Sequence, residues 1–202
     1  TLAEITGGQD GYDAREDLYA AYASVQVRPT DWLRLFAGVR VEGFRQQLTP
    51  GSPFSDSELS QEELQETRVF RTDIDALPVG SLVATLMDDM FLRASYSVTV
   101  ARPRARELSG LVLPNFTQNR TEFGDPNVQR TRIQNLDVRW EWFPSATEVV
   151  SLTGFAKLFE DPIELVILDA NRTITYQNIE RATNYGLEAE VRFDLGRFTD
   201  AL

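Results

Sequence analysis

The sequence predicts an all-β chain folded as an antiparallel up-and-down meander. Apolar and polar residues alternate with period two over stretches of about ten residues, the pattern of a strand with two unlike faces. Tight-turn residues recur at Pro29–Asp31, Asp88–Asp89, Pro144–Ser145 and near Gly196, with two strands and one long polar segment between successive turns. Short turns on one side and long loops on the other is the layout of a transmembrane β-barrel wall. A soluble β-sandwich also solvates one face and buries the other, so it gives the same alternation. Strand length favours the barrel, because soluble strands run about 5–6 residues and tilted membrane strands about 9–11.

In chain order, Thr1 to Asp13 carries Gly7, Gly8 and Gly11 and reads as loop. The first strand runs from about Glu16 to Arg28, with Tyr19, Ala21, Ala23, Val25 and Val27 on one face. The second, about Trp32 to Gln47, sets Leu33, Leu35, Ala37, Val39 and Val41 against Arg34, Arg40 and Glu42; Trp32, Phe36 and Phe44 break the pattern on the polar side. Thr49 to Thr67 is a long polar loop. A strand at Arg68 to Asp75 is expected to be interrupted at Leu77-Pro78, since proline cannot donate to a ladder, and to resume from Gly80 to Met87. The fourth strand is the clearest: from Phe91 to Val100, Leu92, Ala94, Tyr96, Val98 and Val100 alternate with Arg93, Ser95, Ser97 and Thr99. After a long polar loop, strands return at about Arg132 to Phe143, Glu148 to Phe159 and Asn184 to Asp194, with a small hairpin of Ile163–Leu168 and Thr173–Gln177. Several polar faces carry Arg and Glu two residues apart: Arg40 with Glu42, Arg139 with Glu141, Glu190 with Arg192. Trp140 and Trp142 stand just before a short turn, where a barrel places its aromatic girdle.

Composition excludes several functions. A net charge of −11 argues against a nucleic-acid surface, which needs clustered Lys and Arg. With no cysteine there is no disulfide framework and no thiolate metal site. With no histidine the commonest general base and zinc ligand are missing. The start of the chain reads as no signal peptide, and no segment has the ~18 consecutive apolar residues of a membrane helix, a test to which barrel strands are invisible.

Three ordered motifs add a resemblance. The strand ending at Ala101 runs into Arg102-Pro103, then Arg106-Glu107-Leu108, then Gly124-Asp125-Pro126-Asn127. Phe155-Ala156-Lys157 precedes Asp161-Pro162-Ile163-Glu164, and Asn178 to Glu190 reads NIERATNYGLEAE. In this order they resemble the C-terminal barrel of TonB-dependent outer-membrane receptors: an arginine-proline strand end, a "REL" turn, a "GNP" motif (with Asp125 in place of its asparagine), an "FYK…I" strand and an "N…A…GLE" strand. The resemblance covers about the second half of the chain. It implies a receptor of the bacterial outer membrane, not an enzyme, that takes up a scarce nutrient such as an iron chelate, a cobalamin or a saccharide. Its partners would be outer-membrane lipid and lipopolysaccharide, a small nutrient ligand, and the TonB energy-transducing complex through an N-terminal part. Residues 1–202 would be a single barrel segment without plug domain or TonB box, and would need no cofactor. The alternative from another class is a soluble β-sandwich binding module, perhaps for carbohydrate; a glycoside hydrolase is a distant third.

On the outer face such a wall would present Leu33, Leu35, Val39, Leu136, Val138, Leu152, Leu187 and Val191 to lipid, and would turn Arg40, Arg139, Glu188 and Glu190 to the lumen. The candidate ligand contacts are Arg102, Arg104, Arg106, Asn115, Phe116, Asn119, Arg120 and Phe123, because guanidinium groups beside aromatics and amides grip anionic or hydroxyl-rich ligands. The competing reading pairs these arginines with Glu107 and its neighbours. Asp73 and Asp75, two apart on one strand face, read as a lumen-lining pair rather than as catalytic acids, and the Glu58–Glu66 acidic run as a solvated loop rather than a metal site. The Asn-X-Thr patterns at Asn115, Asn119 and Asn171 carry no meaning in a bacterial outer membrane.

Overall fold

The computed structural model describes residues 11–51, 68–110, 113–115, 120–169 and 173–194. In chain order these form β1 (Gly11–Thr30), β2 (Leu33–Gly51), β3 (Val69–Met87), β4 (Met90–Ala101), a single helical turn α1 (Ala105–Leu108), β5 (Leu113–Asn115), β6 (Arg120–Phe123), β7 (Thr131–Ser145), β8 (Glu148–Glu160), β9 (Ile163–Ile167), β10 (Thr173–Asn178) and β11 (Arg181–Arg192). Seven long strands make one open antiparallel sheet in the order β1-β2-β3-β4-β7-β8-β11. This is the predicted meander, with short turns at Asp31-Trp32, Asp88-Asp89 and Ala146-Thr147 on one rim. The other rim carries the described parts of the segments 102–130 and 161–180; Thr1 to Asp10, Ser52 to Thr67 and the turn near Gly196 lie outside the described residues.

The sheet is inside out relative to a soluble domain. Among the eight outward-facing residues expected from the sequence, Val39, Leu136, Val138, Leu152, Leu187 and Val191 are exposed, and Leu33 and Leu35 are half-buried. Among the described residues no second sheet covers that face. The buried set on the other face is largely polar, including Glu42, Gln46, Asp75, Glu141 and Ser151. Cross-strand register explains the outer band. Row by row, Leu35 aligns with Leu82, Ala94, Val138, Gly154 and Leu187, and Ala37 aligns with Gly80, Tyr96, Leu136, Ala156 and Tyr185. From Leu33 to Val41 the band is nine residues tall, roughly 20–25 Å once strand tilt is allowed for, which matches the apolar belt of a membrane barrel. Above it polar and charged residues enter the outward positions, Arg45 beside Thr72 and Arg132 beside Glu160 and Arg181, while on β3 the exposed Ile74 and Phe70 carry the apolar face further.

Several strands differ from expectation, each for a physical reason. β3 is continuous through Leu77-Pro78, against the predicted interruption. It stays whole because β2 pairs with it from Val69 to Ala84, while the ladder to β4 stops at Val79–Ser97, so Pro78 sits where the β4 side needs no amide. β1 begins at Gly11, inside the expected loop, and β2 runs through residues 49–51, because the two strands extend each other from Leu18–Phe44 out to Gly11–Gly51. The first turn falls one residue late and the third two residues late, so Pro144 and Ser145 belong to β7.

The loop segments build a second, four-stranded sheet, β5-β6-β10-β9, in which β6 and β10 run parallel. β9 and β10 are the predicted hairpin, a bent continuation of β8 and β11 held by Ile179 N–H to Pro162 O at 3.0 Å. The loops pack on the inner face of the long sheet through a small core of Leu48, Val69, Leu108 and Val128, with Tyr12, Ile163 and Tyr176 against it.

Candidate functional site

The segment 102–130 leaves β4, turns through α1 and returns to β7 across the inner face. Pro103 is buried, and its carbonyl accepts from Gln46 Nε2 at 3.2 Å. Arg102 lies over the ring of Phe44, 4.8 Å from its centroid, which explains why an aromatic stands on the polar face of β2. The same guanidinium pairs with Glu42 at 2.8 Å and Asp75 at 2.7 Å. From the far end of the segment, Arg130 reaches Asp75 at 2.6 Å and Asp73 at 2.7 Å. Two arginines 28 positions apart thus converge on Asp75, which is 2% exposed.

α1 has Leu108 as its buried anchor and Glu107 as its first-turn acid, whose Oε2 accepts the Arg104 N–H at 2.9 Å. The Gly124-Asp125 backbone runs alongside it: Gly124 N–H donates to Ser109 O and Asp125 N–H to Glu107 O, both at 2.8 Å. A Cβ on Gly124 would lie 2.4 Å from Ser109 O, so only glycine fits. Asp125 Oδ1 accepts from Asn127 N–H at 2.8 Å and Asn127 Nδ2 at 3.0 Å. An asparagine oxygen makes that turn equally well, so the departure from the "GNP" pattern leaves the local structure intact. Asn178 ties the hairpin to the same place, accepting from Gln129 N–H at 2.6 Å and donating to Asp161 O at 2.7 Å.

Of the predicted contacts, Arg102 is bound into the wall, and Arg106 pairs with Glu122 at 2.7 Å. Arg104 is exposed at the edge of a 480 Å³ cleft lined also by Glu107, Thr131, Ile133, Phe159 and Asn184. Phe123 is half-buried at the end of β6. Phe116 and Asn119 lie outside the described residues, and Asn115 and Arg120 are described as strand backbone alone. Sequence reasoning passed over Gln46 and Arg130, named Glu42 only as the spacing-two partner of Arg40 and Asn178 only within a motif, and placed Asp75 on the lumen without naming its partners. The local signal, a shared face at spacing two, was available for Arg40 and Glu42 and for Asp73 and Asp75.

Nearer the short-turn rim the inner face carries a second charge ladder. Glu141 pairs with Arg93 at 2.6 Å and Arg139 at 2.8 Å, Arg139 with Glu190 at 3.1 Å, and Glu190 with Arg192 at 3.0 Å. The sequence pairs at spacing two, Arg40–Glu42, Arg139–Glu141 and Glu190–Arg192, are all ion pairs. Gly186 faces Phe155 across the β8–β11 ladder; a Cβ there would meet the ring at 2.7 Å. At the rim, Trp142 donates from Nε1 to Asp89 Oδ2 at 3.0 Å while its ring stays partly exposed, as an interfacial tryptophan does.

An exposed apolar belt outside, buried ion pairs inside, and loops folded over one rim define a section of an outer-membrane β-barrel wall. The family model for the TonB dependent receptor-like β-barrel matches residues 2–201, and the chain belongs to that family. Membership places it with outer-membrane receptors rather than enzymes. Among solved structures, the chain is similar to a double mutant of the Serratia marcescens hemophore receptor HasR in complex with its hemophore HasA and heme, at 17% identity and TM-score 0.68, covering 90% of this chain and 32% of that one. It is similar to the copper transporter OprC at 15% identity and TM-score 0.66, covering 91% and 27%. The siderophore receptor PirA of Pseudomonas aeruginosa gives 14% identity and TM-score 0.57, covering 88% and 40%. The chain thus spans about a third of the length of these receptors. No curated protein matches the chain in sequence.

Proposed function

We propose that the chain is barrel wall and extracellular loop of a receptor that imports a scarce nutrient through the outer membrane, energised by a TonB complex. The family match over residues 2–201 carries this reading. Residues 1–202 act as one barrel segment: both edge strands, β1 and β11, have a free side among the described residues, and a sheet in hydrocarbon cannot leave its edges unpaired. They pair with further strands of the same barrel, and the outer belt meets lipid, with Arg132 and Arg181 at the level of lipopolysaccharide phosphates. The substrate class is a metal chelate, a cobalamin or a saccharide; the similar receptors are described with heme, siderophore and copper. Ligand contact falls to the loop side, with Arg104 at the cleft and Arg106, Asn115, Phe116, Asn119, Arg120 and Phe123 from the rest of the segment 102–130.

The test is uptake by the full-length receptor in a receptor-deficient Gram-negative strain, with and without TonB, offered heme, a ferric siderophore, cobalamin or a maltooligosaccharide. Accumulation of one of these that disappears without TonB is the expected result. Equal accumulation in both strains, or none of any probe at normal receptor abundance, overturns the proposal.

A further inference from the structure

The wall has a seam. β3 and β4 share a ladder from Met87–Met90 to Val79–Ser97. Beyond it, residues 69–78 of β3 pair only with β2, and residues 98–101 of β4 only with β7. For these rows no backbone hydrogen bonds between the described strands join β1-β2-β3 to β4-β7-β8-β11. Side chains cross instead. Arg102 and Arg130, at the two ends of the loop segment, both reach back to β3, and Asp75 receives them at 2.7 and 2.6 Å.

We propose that Asp75 is a positioning residue, which clamps residues 102–130 across this unladdered seam and so holds Arg104 over the cleft. The proposal deepens the reading of that cleft as the ligand side and rests on it for its meaning in transport. Three features support it. Among the described residues Asp75 alone pairs with both ends of the segment, whereas Glu42 and Asp73 each pair with one. It is almost fully buried, so its charge acts at low dielectric where the pairing is strong and water does not compete. Finally, the seam is not fused: Gln46 Oε1, Arg71 Nη1 and Arg102 Nε are buried there without hydrogen-bond partners. With no backbone ladder between β3 and β4 at these rows, the ion pairs are what tie β3 to Arg102 and Arg130.

The test uses the full-length receptor in outer membranes. Residues 1–202 have no cysteine, so each label site is unique within them, and any cysteine elsewhere in the full-length receptor is first replaced by serine. One label goes at Gly110→Cys, where an added Cβ meets open space, and one at Thr72→Cys on the exposed side of β3. In the otherwise unaltered receptor the inter-label distance distribution is narrow. Asp75→Asn, which keeps the shape and removes the charge, gives a broadened distribution shifted to longer distance; Asp75→Glu restores a narrow one. Glu42→Gln, which frees only the Arg102 end, gives a smaller broadening. An Asp75→Asn distribution that superimposes on the parent overturns the proposal. So does an Asp75→Asn receptor that fails to reach the outer membrane, since Asp75 would then serve assembly of the wall rather than placement of the loop. The measurement uses no ligand, so failure of the uptake experiment leaves this result standing, and the reverse holds.

Discussion

The molecule uses the same chemistry twice on its inner face, with opposite settings. Near the loop rim, Asp75 is buried and shared by two arginines that no backbone ladder links to it. Near the short-turn rim, Arg93, Arg139, Glu141, Glu190 and Arg192 form a longer chain of ion pairs lying on strands already joined by complete ladders. Glu190 and Arg192 are largely open to water there, with side chains 42% and 68% exposed. Exposed pairs contribute little because water and salt screen them. A buried carboxylate removed from between two cations takes a charge-assisted hydrogen bond from each of them in low dielectric, and that is costly even where each keeps a second partner. The number of ion pairs therefore says less about stability than where they lie and what else joins the strands.

The sharpest way to break the contrast is Asp75→Ala. It removes the carboxylate that Arg102 and Arg130 share, leaving Glu42 with the one and Asp73 with the other; two buried charge-assisted hydrogen bonds are lost, and the expected loss is about 3–5 kcal/mol. Because the strands below remain laddered, the loss is local. Protease nicking and amide hydrogen exchange should rise in the segment 102–130 and leave β7 and β8 unchanged. Uniform loss of protection across the sheet would show that the clamp and the ladder form one cooperative unit.

Leu136→Arg probes the outer face. Leu136 sits in the middle row of the apolar band and is 50% exposed. A guanidinium at that depth should cost about 2–4 kcal/mol in a bilayer. The readout is the unfolding midpoint in phospholipid. An unchanged midpoint would mean that this row does not face hydrocarbon.

Gly124→Ala comes next. Its Cβ would lie 2.4 Å from Ser109 O and 2.7 Å from Arg106 O, so the backbone beside α1 must shift. The expected cost is about 1–3 kcal/mol, as for overpacking of a close contact. It should be read as lost exchange protection at the Gly124 and Asp125 amides.

These sites were not equally legible in the sequence. Period two exposed the outer face of every long strand, since a membrane belt needs an apolar residue at each outward position. The spacing-two Arg/Glu pairs were visible because they are local. Arg102 and Arg130 on Asp75 are 27 and 55 positions from their partner, and no local pattern reports such a meeting. Pro78 misled for a related reason: a proline forbids one ladder, and only the register shows that the forbidden side is the unladdered one. β5 and β6 escaped notice because three- and four-residue strands are too short to show alternation. Phe44 read as a blemish until Arg102 was found above it.

The smallest expected effect is at the other end of the comparison. Glu190→Gln removes the carboxylate charge between Arg139 and Arg192, which donate to its two oxygens at 3.1 and 3.0 Å. Arg139 keeps Glu141 at 2.8 Å, with Thr153 Oγ1 at 3.2 Å, so its charge is not stranded. Arg192 returns to water, where its side chain already largely lies. The backbone ladder from β7 through β8 to β11 is unchanged. The loss should be about 1 kcal/mol or less and should shrink as salt is raised, because the pair is screened within a Debye length. Unfolding midpoints at low and high ionic strength measure it. A loss near that of Asp75→Ala, insensitive to salt, would mean that the lower ladder is closed off from water in the assembled barrel, and that burial by parts outside this chain makes the two networks alike.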